Sequence, residues 1–195
     1  MMKAQILILL LLFTTSLKAA VSIIPIPQKC VERKGNFIVN EKTTIVIPEN
    51  DKDIRDAISV WNDLFTTAAG FPLEITTLKQ KTNFIQCSLN ASLEEEAYKL
   101  KVSTKDIRIE AKTAKGIFYA FQTLRQLLPP AIEGNARVEN IEWNIPCVTI
   151  EDKPSFSYRG MMLDVSRHFI RKRGYKALYR LACFSQNECF SLAFD

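Results

Sequence analysis

Arg159, Asp164, Arg167 and His168 fall in one short run, Tyr158-Arg159-Gly160-Met161-Met162-Leu163-Asp164-Val165-Ser166-Arg167-His168-Phe169. Met161, Met162, Leu163 and Val165 read as a strand buried on both faces, which should be nearly continuous apolar sequence. Arg159 and Asp164 break that pattern, and an unpaired charge in such a place is too costly to keep. Two arrangements satisfy them. Either they pair with each other or with neighbours as a structural ion pair, or Arg159 turns its fixed fork of donors toward a polar ligand. His168 is the only histidine of the 195 residues, so a zinc site is not expected. Cys30, Cys87, Cys147, Cys183 and Cys189 are odd in number and widely spaced. They make no disulfide framework, although one bridge is compatible with export. Nothing in the pattern calls for a cofactor.

The elements that must position this run are legible upstream. Ile23-Ile24-Pro25-Ile26-Pro27 is an extended, proline-stiffened lead-in. Residues 36–40 and 43–47 alternate apolar and polar and read as strands around a turn near Glu41. Ile54, Ile58, Trp61, Phe65 and Ala68 recur at helical spacing. They mark a helix opened by Asp51 and Asp53 and closed by Gly70. Strands are expected at 73–77, 83–89, 98–102 and 107–111. A second helix is expected at 115–128, burying Ile117, Phe121, Leu124 and Leu128 and stopped by Pro129-Pro130. This order suits an α+β domain, a sheet covered by two helices. Residues 142–154, with Pro146 and Pro154, read as a connector holding a domain boundary.

Composition narrows the class. The chain is 47% hydrophobic and 24% charged, as an ordinary globular protein is. Lys3, the apolar stretch 6–13 and Leu17-Lys18-Ala19-Ala20 form a signal-peptide pattern over 1–20. The apolar stretch is too short to anchor in a bilayer, so an exported protein, periplasmic or secreted, with no membrane span after signal removal is expected. Of the net charge of +5, the segment 170–195 supplies +3. No basic stripe interleaves with aromatics, and nucleic acid is not an expected partner.

The run 159–169 resembles the first barrel strand of family 20 glycoside hydrolases, the β-N-acetylhexosaminidases. Ile24-Pro25-Ile26-Pro27-Gln28 resembles that family's lead-in. Glu96-Ala97-Tyr98-Lys99-Leu100 and Gly116-Ile117-Phe118-Tyr119-Ala120-Phe121-Gln122-Thr123-Leu124 resemble a strand and helix of its N-terminal domain. Ile150-Glu151-Asp152-Lys153-Pro154 resembles its approach to the barrel. The resemblance implies an α+β domain at 21–150 and, from 151–169, the truncated start of a catalytic (β/α)8 TIM barrel. It also implies hydrolysis of terminal β-linked N-acetylglucosamine or N-acetylgalactosamine with retention, so that glycans carrying these sugars are the expected partners. The substrate's own acetamido oxygen is the nucleophile, an exception to the two-carboxylate scheme. By resemblance Arg159 binds the sugar's 3- and 4-hydroxyls, and Asp164, Arg167 and His168 support the barrel end. The catalytic Asp-Glu pair of such enzymes has no counterpart in these residues.

After Phe169 the resemblance stops. Residues 170–195 show neither a strand–helix repeat nor the histidines and tryptophan that the family has next. Shifted by one base, with synonymous codons chosen freely, Ser191-Leu192-Ala193-Phe194 written TCA-TTG-GCA-TTT gives His-Trp-His and the start of Leu. The whole of 170–194 permits SEREDIKRFIDLLASLKMNVFHWHL, which reads as a barrel helix and a strand ending in His-Trp-His. Residues 170–195 are accordingly read as a frameshifted tail, and the chain as inactive. The alternative is a non-catalytic, carbohydrate-related accessory or interaction module.

Overall fold

The computed structural model of the chain describes residues 21–49, 51–164 and 189–193, with the backbone alone for 161–164 and 189–193. Among the described residues, nine strands and two α-helices follow one another as β1 (Lys29–Val39), β2 (Thr44–Val46), α1 (Lys52–Leu64), β3 (Glu74–Thr76), β4 (Phe84–Leu89), β5 (Tyr98–Val102), β6 (Asp106–Ala111), α2 (Ala114–Leu127), β7 (Trp143–Asp152), β8 (Gly160–Asp164) and β9 (Cys189–Ala193). Residues 1–20, where a signal peptide is expected, and most of the segment 170–195 lie outside the described residues. No helix among the described residues is long and apolar enough to cross a membrane.

The first seven strands form one mixed sheet in the order β1-β7-β5-β6-β4-β2-β3. The β1, β7, β5 and β6 neighbours run antiparallel, and the β6, β4, β2 and β3 neighbours run parallel. Alternation sets which face is covered. Tyr98, Leu100 and Val102 of β5 and Ile107, Ile109 and Ala111 of β6 are buried, whereas Lys99, Lys101, Arg108 and Glu110 between them are exposed. The two helices lie on the buried face and pack on one another through Trp61 and Phe121.

Local chemistry explains the helix limits. Asp51 Oδ1 accepts from the backbone N–H of Asp53 (2.7 Å) and Ile54 (3.1 Å) and caps α1. The expected apolar face is buried along its length, but the last turn, Phe65–Ala69, is wound as a π-helix. Gly70 then takes φ +83°, the left-handed conformation that ends helices. Asn62 turns the chain into β3, its side-chain amide donating to Leu73 O (2.9 Å) and accepting from Leu73 N (2.7 Å).

The strand pairings go beyond the reading from sequence and correct it at one place. The turn near Glu41 exists, but the strands on its two sides do not pair: β1 joins β7, and β2 joins β4 and β3. Residues 142–154 are no connector. Trp143–Asp152 is a strand between β1 and β5. Pro146 is tolerated there because it stands opposite Asn36, beside the bulge where the register shifts between Glu32 and Asn36. Gly35, inside that bulge, has φ +99°. Finally, the expected barrel strand has a partner. β8 pairs in parallel with β9, Gly160 opposite Cys189 and Asp164 opposite Ala193. The connection between them exceeds the dozen residues that a parallel crossover needs.

Candidate functional site

Arg159 stands at the last residue before β8, at the end of an extended segment that leaves the sheet after Asp152. Its guanidinium does not point into solvent. Nη2 donates to Glu96 Oε2 (2.8 Å) and to the Tyr119 hydroxyl (2.9 Å), and Nη1 donates to the backbone oxygen of Phe156. The Arg159 carbon between the terminal nitrogens lies 5.6 Å from the Tyr119 ring centroid. The side chains of Arg159 and Glu96 keep only 15% and 16% of their exposure, so the pair is largely withdrawn from water. Burial works against the guanidinium charge. The hydrogen bonds to Glu96 and Tyr119 outweigh it and hold the Arg159 pKa above its ordinary value.

Glu96 and Tyr119 come from different elements that local chemistry brings together. Glu96 ends the loop between β4 and β5. Ala97 N donates to Glu94 O (3.2 Å) within that loop, and the Thr113 hydroxyl donates to Glu95 O (2.6 Å). Thr113 precedes α2, so its side chain ties the start of that helix to the loop. Gly116 completes the approach: a Cβ there would sit 2.6 Å from Ala97 O and 2.9 Å from Ala111 Cβ. Only a glycine lets the first turn of α2 lie this close, and Tyr119 follows three residues later on the same helix.

Beside this pair lies an open cleft of about 480 Å³ whose wall includes Glu94, Glu95, Glu96, Lys115, Lys153 and Phe156. Its carboxylates have cationic partners. Lys153 Nζ pairs with Glu94, and Lys115 Nζ lies 3.5 Å from Glu95 and 3.9 Å from Glu96. Phe156 and Tyr158 of the same extended segment are exposed. The arrangement holds a cation in place and offers polar and aromatic surface. It contains no nucleophile beside a base and no pair of carboxylates set apart for acid and base work.

Of the residues singled out from sequence, Arg159 takes the ion-pair arrangement with neighbours. Asp164 closes β8, with its side chain outside the described residues, as are Arg167 and His168 altogether. Glu96 and Tyr119 fell inside recognised motifs but received no role from sequence. The usable signal was Gly116, since a glycine in the first turn of a helix weakens it unless a close approach requires it.

Comparison with known proteins identifies this scaffold. Residues 20–153 match glycosyl hydrolase family 20, domain 2. A beta-hexosaminidase of Porphyromonas gingivalis is 34% identical over 153 residues, covering 77% of this chain and 19% of that protein. The solved Streptomyces plicatus N-acetyl-beta-hexosaminidase superposes with a TM-score of 0.77 at 30% identity, over 87% of this chain and 34% of that one. An exo beta-N-acetylglucosaminidase of Vibrio harveyi gives a TM-score of 0.74 at 29% identity, over 90% of this chain and 26% of that one. The chain thus spans about a third or less of the length of these relatives. The mixed sheet with its two helices is the fold of the matched domain, and the chain belongs to glycosyl hydrolase family 20.

Proposed function

We propose that this chain derives from a retaining, substrate-assisted β-N-acetylhexosaminidase acting on terminal β-linked N-acetylglucosamine or N-acetylgalactosamine. In this reading residues 1–20 direct export, residues 21–150 are the α+β domain, residues 151–169 begin the catalytic barrel, and residues 170–195 are read in a shifted frame. Arg159 is the substrate contact, for the sugar's 3- and 4-hydroxyls, and Asp164, Arg167 and His168 support the barrel end. The observation that carries the reading is the family match over 20–153, followed by a strand, Gly160–Asp164, that Arg159 immediately precedes, where the resemblance puts the sugar-binding arginine.

The same reading makes the 195-residue chain itself inactive. A shifted frame after Phe169 replaces the residues that would build the rest of the sugar pocket. Reading the nucleotide sequence across the codon of Phe169 tests the frame. The expected result is the string SEREDIKRFIDLLASLKMNVFHWHL followed by an Asp-Glu pair in the alternative frame. Its absence would leave the non-catalytic accessory module as the better reading. The purified chain is expected to release no nitrophenol from a nitrophenyl N-acetylglucosaminide, and turnover by it would overturn the inactivity.

A further inference from the structure

We infer that Glu96 and Tyr119 are positioning residues that aim Arg159 from the α+β domain, with Gly116 setting the distance between them. This rests on the reading of Arg159 as the sugar contact. An arginine side chain is long and rich in rotamers, and fixing it at the moment of binding costs affinity. Here that ordering is already in place. One terminal nitrogen meets a carboxylate and a phenol hydroxyl at 2.8 and 2.9 Å, and the other meets the Phe156 carbonyl. Glu96 and Tyr119 lie 63 and 40 residues away along the chain, in the α+β domain, so the aim depends on that domain's fold, with the Phe156 carbonyl three residues back as a local support.

The geometry also explains why the pair can form. Glu96 sits on a loop tied to the start of α2 through the Thr113 hydroxyl, and Tyr119 is on the first turns of that helix. Both reach one guanidinium because α2 approaches Ala97 closely enough to exclude any side chain at position 116. The Glu96 carboxylate is also within 3.9 Å of Lys115 Nζ, so it lies between two cations and its charge is held where Arg159 needs it. The α+β domain therefore does more than cap the barrel: it carries the orienting groups for the first residue of the substrate site.

Nitrogen-15 NMR of the full 195-residue chain, labelled at arginine, reads this directly. A pinned guanidinium shows separate terminal-nitrogen signals because rotation about its C–N bonds is slow. Arg159 is assigned by its loss in R159K. The expected result is resolved Arg159 signals in the wild type and rotation faster by about tenfold in both E96Q and Y119F, the scale of one charge-assisted hydrogen bond. G116A is expected to behave like them, although its own strand and helix content persists. Y119F removes only a hydroxyl and decides the matter if E96Q or G116A does not fold. Averaged Arg159 signals in the wild type, or unchanged signals in Y119F and E96Q, would overturn the inference. An inactive frame-restored enzyme would sink the hydrolase reading and leave these signals untouched, so the two failures are distinguishable.

Discussion

The rings of Trp61 on α1 and Phe121 on α2 meet edge to face, their centroids 5.1 Å apart and their planes at 60°. Trp61 also meets Phe65 at 4.7 Å, and Phe65 meets Trp143 of β7 at 6.0 Å. One aromatic cluster thus joins both helices to the sheet. Each such ring buries enough apolar surface to dominate its surroundings, and its paired geometry adds to that.

Removing Phe121 should therefore loosen the whole layer. Phe121→Ala is expected to cost about 3–5 kcal/mol, since the rigid neighbours cannot collapse into the space. Urea unfolding followed by far-ultraviolet circular dichroism measures this. Trp61→Phe is expected to cost less, because the buried Trp61 Nε1 has no hydrogen-bond partner among the described residues to lose. A loss in Phe121→Ala no larger than in Trp61→Phe would contradict the role given to this contact.

Gly35 answers to a different constraint. It has φ +99°, and a Cβ there would stand 2.7 Å from Thr104 Cγ2. Gly35→Ala should lose roughly 1–3 kcal/mol through backbone strain and the clash together. Thr104→Ser deletes the methyl group that is struck. In the double variant only the clash should be relieved, and the strained φ should keep part of the loss. Full recovery in urea midpoints would show that the bulge tolerates a side chain.

These two sites mark what was legible beforehand. The helical spacing of Ile54, Ile58, Trp61 and Phe65 announced α1, and the alternation from Tyr98 to Val102 announced β5, because each element buries one face and the period survives in sequence. Which strands pair did not show, since 36–40 carries no information on a partner more than a hundred residues away, nor 43–47 on partners beyond α1. Pro146 misled for a sound reason. A proline argues against a central strand, but β7 pairs with β5 only over Thr149–Asp152, so Pro146 faces β1 alone among the described strands, beside the bulge around Gly35. The site was half legible: charge in an apolar run exposed Arg159, but Glu96 and Tyr119 join it by packing, which leaves no local pattern.

Asp152 and Asp106 should give stability opposite slopes with pH. Burial raises the Asp152 pKa, and hydrogen bonds from Gln28 N and the Tyr98 hydroxyl oppose that without cancelling it. A raised folded pKa means that the protonated form favours folding. Its contribution is full below the unfolded value of about 3.9 and is lost as pH rises through the folded value. Asp106 is the reverse. Burial disfavours its charge, but the Ser103 and Arg108 hydrogen bonds win and lower its pKa. Its contribution is present above the unfolded value and is lost as pH falls through the folded one. Asp152→Asn should therefore gain stability relative to wild type as pH rises from about 4, by less than about 1 kcal/mol given the partial exposure of Asp152. Asp106→Asn should lose most relative to wild type near neutral pH. Thermal melts of both variants across that range check the signs, and parallel profiles would refute them.

Cysteine reactivity separates the covered middle of the sheet from its exposed β1 edge, since Cys30 and Cys87 lie in one cross-strand row through Ile150, Leu100 and Ile109. Cys87 on β4 is fully buried against the helices, and burial pushes its thiol up to about 12, far from the thiolate that reacts. Cys30 on β1 is exposed, and burial of its surroundings and the nearby Glu32 raise its pKa more modestly. Both are free thiols, so neither is protected by a bridge. A maleimide applied to the native chain should modify the peptide containing Cys30 within minutes and leave that containing Cys87 intact. Cys87 should label only at the urea concentration that unfolds the domain, and Phe121→Ala should shift that labelling to lower urea by the same interval as its unfolding midpoint. Mass spectrometry of the digested protein reads both peptides in one experiment. Native labelling of Cys87 at a rate near that of Cys30 would mean that the helices open the covered face of the sheet without global unfolding, and the aromatic cluster would then not be the contact that holds them down.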